Sequence, residues 1–382
     1  MNKVNPENRK HISEKQSRMS NLELLRCIAM MMVVVLHYLG KGKILSALTE
    51  PMPGSYEAVA WILEVFCIVA VNAYMLISGY FLCTSTFKMS RLLTLYLQLW
   101  VYSVGVGAVG ILTGIFPLAE VEIHDLLTLI FPVSMGHYWF LTAYIYMYLF
   151  LPFIGGMVQK MSKKQMQLAL GFLLFFFCIL KSILPIRLEM DGQGYDCIWY
   201  LCVFLTAAYI RRFGMGIVNS WKKSTCLYVI SCLIIFGVTM GLHQFYLHTG
   251  SLGRMIKISL EYNHVLTFLA SLGLFGIFLH VKVSEGFGKI INRIAPYTLG
   301  VYLLHENLTL RYAWQNWFGA AKVNSIPGLL WSTVCAVVIV FVAGVILDMV
   351  RARIMKGLHV LFSKMGIYQR LVSVVERIDK SL

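Results

Sequence analysis

The chain has little charge, and it lacks the common motifs of soluble enzymes. Charged residues make up 13% of its 382 residues, whereas hydrophobic residues make up 58%. Because an ordinary soluble domain is about one quarter charged, this composition excludes that class. The sequence also has no Gly-rich phosphate loop, no His-Glu-x-x-His motif and no Gly-x-Ser-x-Gly motif. Familiar soluble nucleotide-binding and hydrolase chemistry is therefore unsupported.

Cysteine pairs and zinc-binding spacings are missing as well. The nine cysteines include no Cys-x-x-Cys pair, and no histidine spacing suits zinc. Most of the cysteines lie inside apolar segments, where they behave as small buried residues. We therefore predict no metal site and no bound cofactor.

Long apolar runs recur instead from one end of the chain to the other. A window of membrane-span length finds candidates near 22–39, 57–82, 92–116, 137–158, 166–185, 197–210, 226–244, 263–281, 294–311 and 328–349. We predict an all-α, polytopic integral membrane bundle of about ten transmembrane helices. The first run is too long for a signal-peptide core and is interpreted as a retained span. Ser20 and Glu23 have capping-box spacing, which predicts that the first helix starts there.

The distribution of lysine and arginine predicts the orientation. Basic loops tend to stay in the cytoplasm, and this is satisfied best if both termini are cytoplasmic. The exceptions at the outer ends are Lys41, Lys43, Lys181, Arg187, Arg254, Lys257, Arg311 and Lys322. The net charge of +15 then reflects topology and attraction to anionic membrane lipid, and nucleic-acid binding is disfavoured.

The chain is expected to form one membrane domain with two flanking segments. We predict a disordered cytoplasmic N-terminus at 1–20, a transmembrane domain at 21–350 and a basic amphipathic tail at 351–382. The tail has apolar residues at helical spacing and is expected to lie along the inner membrane surface. A partly disordered basic tail is the alternative.

Two ionisable residues share one face of the first span. Arg26 and His37 are eleven residues apart, which places their side chains within about 20° of each other and roughly 16 Å apart along a helix. An arginine near a helix end can simply extend toward lipid phosphate. A histidine within a span is costly unless it faces a wet cavity or a partner, so function and a structural hydrogen bond between helices are both open.

Further polar residues lie near the ends of other spans. Lys88 and Arg91 are one helical turn apart and could bind a polyphosphate, although the preference for basic cytoplasmic loops also explains them. Tyr138 and Trp139 suit an interfacial aromatic belt. His305 and Glu306 are adjacent, and on a helix at most one of them should face a shared cavity. Glu64 is an acidic residue placed well inside the second span.

These stretches, in this order, resemble membrane-bound acyltransferase family 3, the integral-membrane enzymes that O-acetylate bacterial surface glycans. The sharpest element is the arginine, ten residues, histidine motif, which Arg26 and His37 match. The segments "VNAYMLISGYFL", "HYWFLTAYIYMYLFLPF" and "LGVYLLH" are also similar to the family. Family members carry an arginine, two residues, arginine motif after the second span. Here Lys88 replaces the first arginine and Arg91 matches the second.

The resemblance implies an O-acyltransferase in the bacterial cell membrane, with acyl-CoA, most commonly acetyl-CoA, as donor substrate. Arg26, Lys88 and Arg91 would bind the donor phosphates at the cytoplasmic face. His37 would take the proton of the attacking hydroxyl, either directly or through an acyl-histidine. The acceptor would be a glycan or lipid-linked glycan of the cell envelope or an exopolysaccharide. Supporting residues, including possible donors to the oxyanion, are Asn72, Ser78, Tyr138, Trp139, Glu64 and His305. Besides Glu64, the acidic residues Glu120 and Glu306 are candidate participants.

Two other classes remain open on sequence alone. A secondary transporter or flippase of an anionic or glycan substrate would use the same polar residues to line a pathway. The helices broken by paired Gly or Pro in two related halves, which would favour a transporter, are not found in the sequence. A membrane scaffold or sensor with a structural histidine is the third reading.

Overall fold

The computed structural model describes residues 19–46, 48–52, 54–184 and 191–381. These residues are largely helical and contain no strand, which confirms the predicted all-α class. The predicted disorder at 1–20 falls almost wholly outside the described residues. The α-helices are α1 Ser20–Lys41, α2 Ser55–Cys67, α3 Ala70–Leu82, α4 Met89–Leu112, α5 Ile123–Ile130, α6 Trp139–Leu149, α7 Leu151–Lys160, α8 Lys163–Leu174, α9 Leu180–Ile183, α10 Cys197–Phe213, α11 Trp221–Thr249, α12 Val265–His280, α13 Glu285–Ile294, α14 Thr298–His305, α15 Trp314–Trp317, α16 Ile326–Phe362 and α17 Gly366–Ser381.

Many of these helices are suited to a membrane. Among the described residues, 7 helices are long and apolar enough to cross a bilayer, or 8 if α6 and α7, which meet at a 63° bend, form one span. These numbers make the chain a multi-pass membrane protein, but the predicted count of about ten is not confirmed. The long helices are Ser20–Lys41, Ser55–Leu82, Met89–Leu112, Lys163–Ile183, Trp221–Thr249, Gly253–His280 and Ile326–Phe362.

Three of the ten predicted spans do not form one long helix, and the first of them, 137–158, is divided into α6 and α7. The segment at 197–210 belongs to α10, which has only 17 residues. The segment at 294–311 is broken: α13 ends at Ile294, a 3-10 turn contains Pro296, and α14 stops at His305. Proline lacks the N–H that would continue the helix, so the break follows from Pro296. This short α14 carries much of the site described below.

Helix α1 lies at the centre of the bundle. It packs against α2, α3, α12, α13, α14 and α16, and Leu22, Leu25, Val34 and Leu39 are fully buried along it. The predicted capping box at its start is wrong, because no side chain caps α1. The Ser20 hydroxyl instead accepts a hydrogen bond from the Asn292 side chain at 3.0 Å, so it joins α1 to α13.

Helix α14 packs closely against α4 and α16 because glycines lie at the contacts. A Cβ added to Gly300 would lie 2.4 Å from Cβ of Asp348 on α16 and 2.6 Å from the Tyr102 hydroxyl on α4. A Cβ added to Gly344 would lie 2.5 Å from Cα of Val301. The backbones approach so closely that only glycine fits, as is common between helices in membranes. Close packing therefore fixes α14 and the His305 at its end.

The C-terminal segment is helical and contacts the bundle. Helix α16 continues through residue 350, the expected end of the transmembrane domain, to Phe362. Helix α17 packs against α4, where the Asp379 carboxylate accepts hydrogen bonds from the Ser90 N–H at 3.2 Å and from the Ser90 hydroxyl. This contact caps the first turn of α4, where unpaired N–H groups favour a carboxylate.

Candidate active site

Two histidines from α1 and α14 meet in a hydrogen bond. Nδ1 of His37 lies 2.8 Å from Nε2 of His305, and Nδ1 of His305 lies 2.6 Å from the Val301 carbonyl oxygen. A carbonyl only accepts, so Nδ1 of His305 carries a hydrogen and its Nε2 accepts from Nδ1–H of His37. In a neutral His37, Nε2 is then the nitrogen with the free lone pair.

A buried carboxylate lies beside this pair. Oε1 of Glu306 is 3.3 Å from Nδ1 of His37 and forms an ion pair with Lys41. Oε2 of Glu306 is 3.8 Å from the Arg311 guanidinium, and the glutamate side chain is only 3% exposed. Any positive charge on His37 would therefore face a carboxylate.

The premise that His305 and Glu306 cannot point the same way does not hold, although neither is among the residues that line the cavities described below. Both contact His37, because α14 ends at His305 and Glu306 leaves the helix with φ −96° and ψ 3°. The 100° step between adjacent helical side chains no longer applies beyond that end. The helix terminus thus turns two neighbouring residues toward one partner.

His137 holds the turn that contains Glu306 in place through hydrogen bonds. Nε2 of His137 accepts a hydrogen bond from the Leu308 N–H at 2.8 Å, its Nδ1 lies 2.9 Å from the Ser103 hydroxyl, and its carbonyl accepts from Arg311 at 2.9 Å. Burial, followed by the nearby positive Arg311, lowers the pKa of His137 to about 3. His137 is therefore neutral near pH 7, as its acceptor role at Nε2 requires.

His37 borders a small enclosed space. The cavity has a volume of about 30 Å³, room for about two water molecules. The Tyr302 hydroxyl is buried and donates to no described residue, and its one close polar neighbour is the Phe140 backbone N–H. The ring centroid of Tyr302 lies 6.4 Å from that of His37. The walls are Met30, Val33, Leu36, His37, Val71, Tyr74, Trp139, Phe140, Tyr262, Leu299 and Tyr302.

A larger cavity of about 210 Å³ lies toward the start of α1. Arg26, Ser78 and Arg91 line it, so the structure brings these three sequence candidates together. Arg26 also lies 3.4 Å from Glu23 in an ion pair. The two cavities share Tyr74, Phe140 and Leu299 in their linings. These shared walls make them neighbours along α1.

Lys88 is not among the residues that line the larger cavity. It is exposed at the start of α4, and its backbone N–H donates to the Tyr148 hydroxyl at 3.1 Å. Arg91, one turn farther along α4, reaches the cavity. The two residues of the expected donor motif therefore occupy different surroundings.

The remaining candidates divide between the small cavity and the core. Trp139 lines the small cavity, whereas the polar groups of Asn72 and Tyr138 form hydrogen bonds within the protein core. The Asn72 amide donates to the Tyr262 carbonyl at 2.8 Å and accepts from Trp199 at 2.9 Å. The Tyr138 hydroxyl donates to a backbone carbonyl at 2.9 Å. Glu64 has a buried carboxylate oxygen without a hydrogen-bond partner in the described chain, but it is not among the residues lining either cavity.

The cluster around His37 also has the ligand types of a metal site. One ligand atom from each of His37, His305 and Glu306 lies within 4.8 Å of the others. However, Lys41 and Arg311 already surround Glu306, and a divalent cation would be repelled by both. The hydrogen bond between the histidines also uses the lone pair of His305 that a metal would need. The residues fit a proton-handling site better than a metal site.

Sequence reasoning overlooked three residues of this site. Lys41 and Arg311 were noted only as basic residues at outer ends, and Tyr302 only as part of "LGVYLLH". Tyr302 and His305 are three residues apart, so they share a helix face, and that spacing was the available signal. The approach of Arg311 to Glu306 depends on the turn after α14, which no spacing rule reveals.

One of the comparisons with known proteins gives a match. The family model described as acyltransferase domain, acyltransferase family 3, matches residues 19–349. No curated protein and no solved structure matches the chain significantly. The matched range begins one residue before α1 and ends within α16, so it contains both cavities and the histidine pair.

Proposed function

The chain belongs to acyltransferase family 3 and is a membrane acyltransferase, and from this premise we propose that it moves an acetyl group from acetyl-CoA to a hydroxyl of a glycan. The donor would enter from the cytoplasm and the acceptor would belong to the bacterial cell envelope or to an exopolysaccharide. The experiment that tests this is release of free coenzyme A, described below.

The observation that carries the proposal is the shared wall between the two cavities. Arg26 and Arg91 line the larger one and His37 the smaller one. Guanidinium groups suit the phosphates of coenzyme A, with bidentate hydrogen bonds. A donor held by its phosphates at the arginines would direct its thioester along α1 toward His37, past Tyr74 and Phe140.

His37 has the arrangement of a general base. Its Nδ1–H is engaged by His305, which leaves the Nε2 lone pair to accept the proton of a sugar hydroxyl. The hydroxyl oxygen then bonds to the thioester carbonyl carbon, and the C–S bond breaks as the tetrahedral intermediate collapses. The proton on Nε2 passes to the departing thiolate, so the products are the ester and free coenzyme A.

Glu306 and His305 act as positioning residues in this mechanism. Protonated His37 would carry a positive charge 3.3 Å from the Glu306 carboxylate, which offsets the repulsion from the nearby Lys41 and Arg311. Lys41 and Arg311 hold the carboxylate in place from the other side. His305 fixes the tautomer of His37.

Tyr302 is our choice for the donor to the oxyanion. Its buried hydroxyl is near the Phe140 backbone N–H, which can only donate to it, so the hydroxyl proton is not used by a described residue. Tyr302 also lines the cavity of His37. A fixed donor aimed at developing negative charge is among the largest contributions to catalysis. Asn72 and Tyr138 are poorer choices because their polar groups are already bonded.

The size of the small cavity favours acetyl over longer acyl groups. A space of about 30 Å³ accommodates a two-carbon group with little displacement of the walls. Longer chains would push against packed side chains, and such overpacking costs about 1–3 kcal/mol.

The test compares wild-type protein with His37→Ala in nanodiscs supplied with radiolabelled acetyl-CoA and crude envelope glycan. We expect the variant to release coenzyme A at least about 100-fold more slowly, since general base catalysis contributes that much or more. The matched control is His248→Ala: His248 is an exposed histidine at the end of α11 and should leave the rate unchanged.

Either of two results would overturn the proposal. Unimpaired release by His37→Ala would remove His37 from the mechanism. Absence of donor binding and of release in the wild type, with glycan present, would point instead to transport.

A further inference from the structure

Basic residues at the end of α1 that carries His37 gather around one large cavity. The cavity has a volume of about 640 Å³, and Lys41, Lys43, Tyr56 and Tyr312 are among its lining residues. Lys322 is not itself a lining residue, but it is exposed and lies in the chain between the lining residues Ala321 and Val323. This is the end of the bundle where the preference for basic cytoplasmic loops disfavours lysine, so the concentration of charge needs another explanation.

Most of this charge is not neutralised by the protein. Glu306 pairs with Lys41 and approaches Arg311, so one carboxylate serves two cations. Lys43 and Lys322 are exposed, and neither forms an ion pair with another described residue. Of the two lysines that line the cavity, Lys41 is paired with Glu306, and Lys43 keeps an unpaired positive charge.

Lys181 provides an internal contrast. It is also a basic residue expected at this face, but it is only 3% exposed and pairs with both Asp191, at 3.0 Å, and Glu261. The fold therefore neutralises the buried Lys181 with two carboxylates. Around the cavity it leaves Lys43 and Lys322 free for a ligand.

The backbone at Lys43 has an unusual conformation. Its φ is 57°, in the left-handed region, which is unfavourable for a non-glycine residue. The residue follows the end of α1, and its N–H donates to the Gly40 carbonyl at 3.3 Å. Strained residues concentrate at ligand sites, where the geometry is part of the function. Here the strain holds a lysine at the cavity wall where glycine would be the ordinary choice.

From these features we propose that the cavity binds an anionic group of the acceptor, a phosphate or a carboxylate carried by its sugars. Lys43 and Lys322 bind the anion, and Tyr56 and Tyr312 flank the sugar rings. Lys41 lies one helical turn, about 6 Å, beyond His37 on α1, so an acceptor anchored here presents a nearby hydroxyl toward His37. The inference rests on the proposed function and narrows its acceptor to anionic glycans.

The test is lysine footprinting of the whole protein in nanodiscs of zwitterionic phosphatidylcholine. The amines are propionylated with a succinimidyl ester and quantified by mass spectrometry, with glucose 1-phosphate, glucuronate or neutral glucose as probes. At ten times the dissociation constant, either anionic sugar should slow labelling of Lys43 and Lys322 about tenfold. Glucose should have no effect, and Lys223, exposed at the start of α11, is the control lysine.

Each result bears on the proposal. Protection by glucose 1-phosphate indicates a phosphate on the acceptor, and protection by glucuronate alone indicates an acidic sugar. Equal protection by glucose, no protection by either anion, or equal protection of Lys223 would overturn it. So would protection of Lys43 and Lys322 by phosphatidylglycerol in the disc without sugar, because the site would then belong to lipid headgroups.

The footprint does not require turnover. His37→Ala should show the same protection as wild type. If coenzyme A release fails while protection is observed, the acyltransfer mechanism is wrong and the anion site stands. If release depends on His37 and protection is absent, the reverse holds.

Discussion

The lone pair of His37 is directed by a chain of hydrogen bonds that ends at the Val301 carbonyl. The position of His37 inside a span and the resemblance of Arg26 and His37 to the family motif were the signals that pointed to His37 in the sequence. They could not reveal His305 as the direct partner, because that contact joins residues 268 positions apart. Tyr302 was overlooked for a related reason: a tyrosine in a span usually has an interfacial or packing role, and its missing acceptor is visible only in three dimensions.

Replacing Glu306 by Gln should slow transfer about 100-fold. The amide keeps the size and a hydrogen-bond acceptor but removes the charge that faces protonated His37. The measurement is the maximal rate of coenzyme A release. Glu306→Asp, which keeps the charge on a shorter chain, should recover part of the loss. Equal rates for wild type and Glu306→Gln would show that the carboxylate only fastens the turn.

Replacing Tyr302 by Phe should also slow the maximal rate about 100-fold, with the Michaelis constant for acetyl-CoA little changed. The reason is that the hydroxyl acts on the oxyanion, which exists only during the reaction. Tyr200→Phe is the matched control: this hydroxyl is likewise buried without a described acceptor but is not among the lining residues of either cavity. Equal losses in the two variants would assign the effect to packing.

At the scale of helices, hydropathy predicts the long spans and fails at the broken ones. A window average counts apolar residues, so it joins α13, the turn with Pro296 and α14 into one span at 294–311. The rule that adjacent helical side chains are 100° apart likewise assumes that the helix continues. It therefore led to the expectation that His305 and Glu306 point in different directions. The end of α14 at His305, which a hydropathy window does not detect, is the feature that turns Glu306 toward His37.

The turn after α14 should make the protein sensitive to mild acid through His137. The pKa of His137 lies below its ordinary value of 6.5, so the unfolded state binds the proton more readily than the folded state. Its contribution to stability is complete above pH 6.5 and falls by up to about 1.4 kcal/mol per pH unit below it, down to the folded pKa.

The measurement is the thermal unfolding midpoint in nanodiscs at pH 7 and pH 5. On acidification, the unfolding midpoint of wild type should fall further than that of His137→Gln, because glutamine cannot take up a proton at this position. His137→Gln should be less stable than wild type at pH 7, since the amide cannot make all the contacts. An identical acid response in the two proteins would exclude His137 as the sensitive group.

At the scale of the molecule, α1 organises the site because it contacts six other helices along its length. The sequence suffices for the all-α class and for the residues at each end of this helix. The number of spans and the convergence of α1, α14 and the 306–311 turn on one carboxylate depend on packing between distant segments. Local composition does not determine such contacts.

The orientation of the whole bundle can be tested by cysteine labelling in intact cells. Lys43→Cys, at the His37 end of α1, should react with a membrane-impermeant maleimide from outside. Lys364→Cys, exposed between α16 and α17, should react only after lysis. Wild type, with its nine native cysteines, gives the background. The reversed pattern would place the arginine cavity outside, where coenzyme A is not supplied.

The wall between the two cavities also matters for the energetics of the cell. A protein that opened a continuous file of water between the two membrane faces would let protons leak and dissipate the ion gradient. Phe140 and Leu299, apolar side chains common to both linings, interrupt such a file beside the one histidine that exchanges a proton. Phe140, past which the thioester is proposed to move, would thus also limit proton leakage, so enlarging the passage for bulkier donors would carry a cost in membrane potential.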